Sequence, residues 1–233
     1  FAIIDSKIIL NCTTITESGT YNLGANIVNN TNAHTCINIT SSNVIIDCKG
    51  YSLSSNKYGL PFNIYNSDNV IIKDCYINYN YSNVTVGDLG GITSKDLLGF
   101  YIDLSSNLTI NNVTIQNSYI PIYSTSTANI QIKNNNISTK VILGDAIQIF
   151  DATNLTVQNN LIRNVNGSNI DCIDLDNVSE IRILDNNISD FRIGIDLNSV
   201  SKTINITNNS IYNFTRGIYL DVNQVDIDAI INN

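Results

Sequence analysis

Branched aliphatic residues recur at fixed positions along the chain. Six nine-residue segments carry Ile, Leu or Val at their second, fourth and ninth positions, and they begin at Asn69, Asn107, Asn129, Asn154, Glu180 and Thr203. A lengthened copy begins at Asn43 and a truncated one at Gln224, so the spacings are 26, 38, 22, 25, 26, 23 and 21 residues. Because apolar and polar residues alternate with a period of two, each copy is predicted to form a β-strand.

A second strand is predicted ahead of the first one in each repeat. Four aligned segments combine a small residue, Ile, an outward residue and an aliphatic one: 146–149, 172–175, 194–197 and 217–220. The small residue indicates a tight corner. A repeat of this length with two or three short strands fits one turn of a β-solenoid. We therefore predict an all-β, parallel β-helix of about 8 rungs, with a single domain over residues 1–233, N-terminal strands or a cap over 1–42, regular rungs over 43–233 and an insertion at about 78–104.

Asparagine marks the turn between the strands of successive repeats. The seventh position of four copies holds Asn135, Asn160, Asn186 and Asn209, which are predicted to stack and to form a ladder of amide hydrogen bonds. The position before it holds Asn134, Asn159, Asp185 and Asn208, residue types that tolerate left-handed backbone. We interpret both columns as structural rather than as a binding site.

Composition narrows the classes of function. Charged residues make up 14% of the chain, which has 40 Asn, a formal charge of −8 and no basic cluster, so nucleic-acid binding is not expected. There is no apolar run of about 18 residues, and no membrane span is expected. The chain begins with Phe1 rather than Met. Removal of a signal peptide and trimming of the chain are the two interpretations of that beginning.

Cysteines and glycosylation sequons indicate an oxidising, secreted context. The five cysteines show no CxxC spacing, and His34 is the only histidine, so a zinc site is poorly supplied. We predict two disulfides and one spare thiol; five buried thiols are the alternative. Fifteen Asn-x-Ser/Thr sequons occur, more than residue frequencies predict, and we expect N-glycosylation of many. They lie at Asn11, Asn29, Asn38, Asn80, Asn83, Asn107, Asn112, Asn136, Asn154, Asn166, Asn177, Asn187, Asn205, Asn208 and Asn213.

Over residues 35–230 the repeat resembles the right-handed parallel β-helix proteins, the superfamily of pectate lyases, polygalacturonases and periplasmic copper-enzyme maturation proteins. The N-terminal part, with Cys12, residues 19–23, residues 35–37 and residues 43–47, looks like the opening of β-helix domains in archaeal surface proteins. That resemblance implies a right-handed helix and a Cys12–Cys36 pair. Cys48 and Cys75 sit near the ends of neighbouring strands, which suits a bridge between rungs, and Cys172 is expected to stay free.

Acidic residues provide the candidate chemistry. Asp145 and Asp171 share one predicted column, and Asp174 and Asp196 share the next. Two such carboxylates could serve as acid and base, and the cluster of aspartates could hold Ca²⁺ as a cofactor. The resemblance also shows what is missing, because the Gly-His-Gly and Arg-Ile-Lys motifs of polygalacturonases do not occur. Arg192 and Arg216 are predicted in the column of Asp145 and Asp171, where they would neutralise those charges, and no catalytic residue is assigned.

Tyrosines near the insertion suggest carbohydrate binding as another function. They are Tyr58, Tyr65, Tyr76, Tyr79, Tyr81 and Tyr101. Aromatic side chains stack on sugars, although tyrosine is also a good strand former.

Both ends of the chain are strand-like and apolar, at residues 1–10 and 225–231, and unpaired strand edges promote association. We therefore expect a secreted, glycosylated structural protein rather than an enzyme, a cell-surface or filament subunit whose partners are copies of itself, joined head to tail or by strand exchange. A carbohydrate-binding or polysaccharide-degrading protein is the alternative.

Overall fold

The computed structural model describes residues 6–29, 35–55, 59–79, 98–139, 144–165, 170–221 and 227–232. These residues form 24 strands and no helix, and neighbouring strands pair in parallel from one rung to the next. The described part of the chain accordingly contains no helix that could cross a membrane. The strands coil into a parallel β-helix, which confirms the fold that the apolar repeat predicts.

The rungs have three faces. Face one consists of β2 (Thr13–Ile15), β5 (Thr35–Ile39), β8 (Leu60–Tyr65), β11 (Leu98–Asp103), β20 (Ile193–Asn198) and β23 (Arg216–Asp221). Face two consists of β1 (Lys7–Ile9), β3 (Gly19–Leu23), β6 (Val44–Asp47), β9 (Asp68–Lys73), β12 (Ser106–Asn111), β21 (Ser201–Thr207) and β24 (Ile227–Asn232). Three long strands contribute their first halves to face one and their second halves to face two: β14 (Ile120–Lys133), β16 (Ile147–Gln158) and β18 (Asp171–Leu184).

Face three is a separate eight-stranded sheet. Its strands are β4 (Ile27–Val28), β7 (Ser52–Ser55), β10 (Tyr76–Tyr79), β13 (Thr114–Ser118), β15 (Asn136–Thr139), β17 (Leu161–Asn164), β19 (Asn187–Ser189) and β22 (Ser210–Tyr212). Residues at both ends of the predicted insertion, 78–79 and 98–103, belong to the regular strands β10 and β11. The centre of that insertion, 80–97, lies outside the described residues.

The core is a set of inward-facing files of aliphatic side chains. Ile110, Ile132, Val157, Ile183 and Ile206 pair directly from rung to rung, and none is more than 1% exposed. The predicted single file is therefore confirmed. Full burial of one such side chain stabilises the fold by roughly 1.5–3 kcal/mol before chain entropy is subtracted, so every rung depends on its neighbours for cohesion.

The asparagine ladder is present at the turn into face three. The side-chain amide of Asn135 donates to Asn160 Oδ1 at 3.0 Å, Asn160 donates to Asn186 Oδ1 at 3.0 Å, and Asn186 donates to Asn209 Oδ1 at 2.9 Å. Each residue of the preceding column has a positive φ, for example 57° at Asn134. Both predictions are confirmed, and buried amides thus satisfy the backbone groups of a turn that water cannot reach.

The predicted column of small residues marks a close approach between rungs. A Cβ atom on Gly194 would lie 2.6 Å from the carbonyl oxygen of Gly217 and 2.5 Å from Cγ2 of Ile211. Ala146 and Cys172, in the same column, are fully buried. A larger side chain at Gly194 would push the last rung outward, so the small residue is needed for packing.

Both disulfides join neighbouring rungs. Cys12 bonds to Cys36 with an S–S distance of 2.11 Å, and Cys48 bonds to Cys75 at 2.00 Å. Cys172 is a free, buried thiol. The pairing that the resemblance and the strand positions suggested is therefore the pairing found, and it closes loops of 24 and 27 residues at the N-terminal end of the rod.

Candidate functional site

The outer surface of face one carries the most varied chemistry of the rod. One outward file runs in register through Asn38, Asn63, Tyr101, Tyr123, Gln148, Asp174, Asp196 and Tyr219. The side chains change along the rod from amides to aromatics, then to carboxylates and finally to a tyrosine beside two arginines. Because these residues point away from the main core, their identity is not set by the packing of that core, and this surface is the candidate functional site.

The aromatic segment forms a stack across three rungs. The rings of Tyr101 and Tyr123 are parallel with centroids 5.6 Å apart, and Phe150 follows at 5.8 Å with a tilt of 49°. Tyr101 packs with Leu60 and Leu98 into an apolar cluster that is distinct from the main core. Offset stacking at these distances is favourable. Tyr101 is only 8% exposed, so Tyr123 and Phe150 are the partly exposed rings of the stack.

The acidic segment brings together all four aspartates that the sequence singled out. Asp174 pairs with Asp196 in register, and Asp145 accepts a 2.8 Å hydrogen bond from the backbone N–H of Asp171 through Oδ1. The side-chain amide of Asn198 donates to Asp196 Oδ1 at 3.1 Å. The predicted adjacency of these carboxylates is therefore confirmed.

A guanidinium neutralises only one of these carboxylates. Arg192 donates from Nε to Asp171 Oδ1 at 3.0 Å and from Nη2 to Asp171 Oδ2 at 2.7 Å. The prediction that Arg192 shares the column of Asp171 is wrong by one residue, because Ile193 is the residue that pairs with Asp171. Arg216 does lie in that column, since it pairs with Ile193 on the next rung. The long side chain of Arg192 nevertheless reaches back across the corner to form a bidentate pair, the strongest geometry for such a contact.

The remaining carboxyl groups hold their protons more tightly than usual. Burial raises the pKa of Asp145 to about 7, aided by the charges of Asp174 and Asp171. Burial and the same two neighbours raise the pKa of Asp196 to about 6. Burial also raises the pKa of Asp174, against the hydrogen bond from Gln148. Carboxyl groups with pKa values near neutrality can donate or accept protons and can hydrogen-bond to hydroxyl groups.

The metal expectation gains no support from this geometry. Among the described residues, no group of three or more His, Cys, Asp or Glu side chains is arranged so that it could hold a metal ion. Asp171 is committed to Arg192, which leaves fewer free carboxylate oxygens for a divalent cation. A Ca²⁺ site at Asp145, Asp171, Asp174 and Asp196 stays a prediction.

A cleft of about 330 Å³ lies at the C-terminal end of the same surface. It is lined by Arg192, Ile193, Asp196, Thr215, Arg216 and Tyr219. The Arg216 guanidinium lies 4.9 Å from the centre of the Tyr219 ring, within the range of a cation–π contact.

The tyrosines predicted as a platform do not all meet. Tyr101 lies on face one, and Tyr65 is exposed on the neighbouring outward file. Tyr76 lies on face three, where its hydroxyl donates to Gln116 at 2.7 Å. Tyr58, Tyr81 and the side chain of Tyr79 lie outside the described residues, as do His34 and the sequons at Asn80, Asn83 and Asn166.

Burial separates the remaining sequons. Eight of the described sequon asparagines are exposed: Asn11, Asn107, Asn112, Asn136, Asn177, Asn187, Asn208 and Asn213. Asn38, Asn154 and Asn205 are half-buried. Asn29 is only 1% exposed, so the folded chain has no room for a glycan there, and its inclusion among the predicted sites is corrected.

Sequence reasoning missed Tyr123, Gln148 and Phe150. Gln148 occupies the outward position of an aligned segment, directly before Asp174 and Asp196 in the file. Extending that alignment two rungs back would have reached Tyr123 and Tyr101.

Comparison with known proteins agrees with this fold. No curated protein matches the chain. The crystal structure of PfbA, a surface adhesin of Streptococcus pneumoniae, has a TM-score of 0.43 at 12% identity, covering 91% of this chain and 83% of that chain. Another structure of this S. pneumoniae surface protein and adhesin has a TM-score of 0.35 at 10% identity, covering 98% and 87%. Neither likeness is close enough to carry an argument about function. A family model described as "Right handed beta helix region" matches residues 92–232, more than half of the chain, and the protein therefore belongs to that family.

Proposed function

We propose that this protein is an extracellular structural subunit, a glycosylated β-helix rod of a cell surface or filament that associates with copies of itself through its ends. The observation that carries the proposal is the apolar surface on the terminal rungs. Among the described strands, β1 and β2 at one end and β23 and β24 at the other pair on one edge only. Unpaired parallel edges can accept further strands.

The N-terminal rung exposes large aliphatic side chains beside open space. Ile8 is 59% exposed and Leu10 is 58% exposed. Two clefts of about 520 and 540 Å³ flank the segment 10–14, one lined from Lys7 to Tyr21 and the other reaching Cys36. Clefts of this size beside an open edge suit an incoming strand with small or aliphatic side chains.

The C-terminal rung exposes residues that are buried elsewhere in their files. Ile231 follows Ile206 in the main inward file, yet it is 46% exposed, whereas Ile206 is fully buried. Its neighbour Ile230 is 62% exposed. Stacking one more rung on this end would remove that apolar surface from water, and each fully buried side chain would contribute about 1.5–3 kcal/mol.

Two features support an extracellular location. Disulfides form and persist in oxidising compartments, and this rod contains two. The exposed sequons suit N-glycosylation, which takes place on secreted chains. The resemblance of the N-terminal part to archaeal surface proteins agrees with this location and stays a prediction.

Electron microscopy of natively purified protein, together with light scattering, tests end association. We expect rods joined end to end in the wild type and single rods after Leu10→Asp or Ile231→Asp. Leu161→Asp is the matched control, because Leu161 is 37% exposed on face three in β17, a strand that is paired on both edges. Single rods of wild-type protein at every concentration would contradict the proposal, as would equal assembly of all four proteins.

Site-resolved mass spectrometry of the same material tests glycosylation separately. We expect glycans at exposed sequons such as Asn136 and Asn187 and none at the buried Asn29. Native protein without any glycan would remove glycosylation from the proposal and leave end association untouched.

Saccharide binding on face one, with or without cleavage, is the second candidate function. The observation that favours it is the continuity of the aromatic stack with the acidic segment in one outward file. Tyr123→Ala should weaken binding of oligosaccharides in a binding panel, whereas Gln131→Ala on face two should not. Incubation with the bound sugars, followed by chromatography, distinguishes binding alone from cleavage.

A further inference from the structure

The three faces of the rod contain unequal numbers of strands. When β14, β16 and β18 are counted on both of their faces, face one has nine described strands, face two has ten and face three has eight. At the N-terminal end, β1 lies on face two, one rung ahead of β2 and β3. At the C-terminal end, β22 is the last described strand of face three and lies one rung before β23 and β24. Both ends of the described rod are therefore uneven.

This unevenness matters when two copies stack with face one continuous. If β23 of one copy is followed by β2 of the next, then β24 of the first copy and β1 of the second fall on the same position of face two, beside β3 of the second copy. In the same rung, no described strand fills face three between β22 of the first copy and β4 of the second. Moving β1 from face two to face three resolves both problems, because each face then has nine strands per copy.

β1 fits poorly in its place on face two. Lys7 pairs with Tyr21, which continues the main inward file through Ile46, so a lysine stands where other rungs have apolar side chains. Two of the three residues of β1 are exposed, and the ion pair of Lys7 with Glu17 lies at the surface, where such pairs contribute little. β24 of a preceding copy would bring Ile231 to the position of Lys7 and would keep the file apolar across the junction.

The chain around β1 has the spacing of a face-three strand. Face three has one central inward file, which consists of Ile27, Leu53, Ile77, Ile115, Ile137, Ile162, Ile188 and Ile211. In three rungs the residue of this file lies five positions before the next face-one strand begins, namely Ile115 before β14, Ile188 before β20 and Ile211 before β23. Ile8 likewise lies five positions before Thr13, the first residue of β2. Ile8 can therefore continue the face-three file without any change in the connection to β2.

A cleft is already open where this strand would lie. It has a volume of about 540 Å³ and lies between residues 10–14 and residues 26–29, along the edge of β4 that no described strand pairs with. Ile8 is 59% exposed on face two. On face three it would pack between Ile211 of the preceding copy and Ile27 of its own copy, so its apolar surface would be removed from water.

We propose that β1 changes faces when copies associate end to end. It leaves β3 and becomes the face-three strand between β22 of the preceding copy and β4 of its own copy, while β24 of the preceding copy takes its place on β3. This inference rests on the proposed end association, and it adds which strands exchange and in which register. In the resulting junction, Ile8 of one copy lies directly beside Ile211 of the preceding copy.

Disulfide trapping distinguishes this junction from simple stacking. Residues paired on neighbouring strands lie about 5 Å apart, a separation that suits a disulfide. After mild oxidation, Ile8→Cys/Ile211→Cys should give ladders of linked chains on a non-reducing gel, and peptide mass spectrometry should identify the link. The matched control is Ile8→Cys/Asn232→Cys. If β1 stayed on face two and stacked on β24, Ile8 would pair with Asn232 of the preceding copy, because the file of Asn22, its present partner, ends at Asn232.

Each result of the trapping experiment decides between the two proposals. Ladders in the control but not in Ile8→Cys/Ile211→Cys would overturn the strand exchange and leave end association standing. Absence of ladders from Ile8→Cys/Ile211→Cys, although the reduced variant assembles as the wild type does, would have the same meaning. Wild-type protein that stays as single rods in light scattering would overturn both proposals.

Hydrogen exchange of the unsubstituted chain provides a test that does not depend on how the cysteine variants behave. In assembled wild-type protein, the amides of Ile27–Val28 and Ser210–Tyr212 should exchange at least about tenfold more slowly than in single rods of Leu10→Asp, because β4 and β22 gain a paired strand. Simple stacking of β1 on β24 would leave face three open and these amides unchanged. Equal rates in assembled and single rods would therefore overturn the strand exchange.

Discussion

Replacement of Asp145 by Asn should stabilise the rod most at pH 8, less at pH 5 and hardly at all at pH 3, below the ordinary pKa of the carboxyl group. Asp145 is half-buried between Asp171 and Asp174, and burial raises its pKa from an ordinary 3.8 to about 7. An asparagine keeps the Oδ1 acceptor for the backbone N–H of Asp171 but cannot ionise. The variant therefore mimics the protonated wild type at every pH.

The size of the effect follows from proton linkage. A carboxyl group whose pKa is higher in the folded state than in the unfolded state stabilises the fold fully below the unfolded pKa, and that stabilisation is lost as pH rises through the folded pKa. The shift at Asp145 is about 3 pKa units, which corresponds to about 4 kcal/mol, most of it lost between pH 4 and pH 8. For a chain of this length that is a fall in melting temperature of about 10 °C.

Thermal unfolding followed by far-UV circular dichroism measures this effect. We expect the melting temperature of the wild type to fall between pH 5 and pH 8, and that of Asp145→Asn to fall less, because Asp174 and Asp196 still titrate in it. Asp221→Asn, which removes one charge from an exposed position, is the control for net charge. If Asp145→Asn were no more stable than wild type at pH 8, or equally stabilised at pH 5 and pH 8, the reasoning would be wrong.

Three further predictions concern the core, the asparagine ladder and the N-terminal rungs. Ile183→Asp places a charge in the inward file and should destabilise the rod by more than about 4 kcal/mol, seen as proteolysis of neighbouring rungs, whereas Gln131→Ala on the exposed face should be nearly silent. Asn160→Ala removes the hydrogen bonds that join Asn160 to the ladder residues on both neighbouring rungs, and it should lower the free energy of unfolding in denaturant by at least about 3 kcal/mol. Asn159→Ala, at an exposed turn with a positive φ, should lower it by only about 1–2 kcal/mol. Burial alone would raise the pKa of Asp47, but hydrogen bonds from Lys49 and Lys73 lower it to about 2, so Asp47→Asn should destabilise the rod at pH 6, and the difference from wild type should vanish as pH falls through 2.

The inward half of the rod could be predicted from the sequence because packing allows so little variation there. A file such as Ile110 to Ile206 must be aliphatic in every rung, and the same residue types therefore recur at the same spacing. The buried asparagine ladder was predictable for a similar reason, since a side-chain amide can accept a hydrogen bond from one rung and donate another to the next.

The outward half was less predictable because it has no such constraint. The column of corner residues that contains Ala146 and Cys172 also contains Pro121 and Gly99, which lie on the two preceding rungs. Because Pro121 is not a small residue, the pattern of a small residue followed by Ile is not recognisable there. The aromatic stack of Tyr101 and Tyr123 was therefore overlooked. Alignment on the small residue of each segment already places Ile193, not Arg192, in the column of Asp171, but only the structure shows that the Arg192 side chain reaches back to Asp171.

The two proposed roles would reinforce each other in an assembled rod. Among the described strands, β2 is the first and β23 the last of face one, so stacking of copies at these strands would continue the outward file from Tyr219 of one copy to Thr14 of the next. Each copy would then repeat the same outward file along one side of the rod. Oligosaccharides long enough to span several copies would bind such a series more tightly than they bind one rod, because later contacts form at a high effective concentration. If affinity for a long polysaccharide were the same for the wild type and for the single rods of Leu10→Asp, saccharide binding and assembly would be functionally separate.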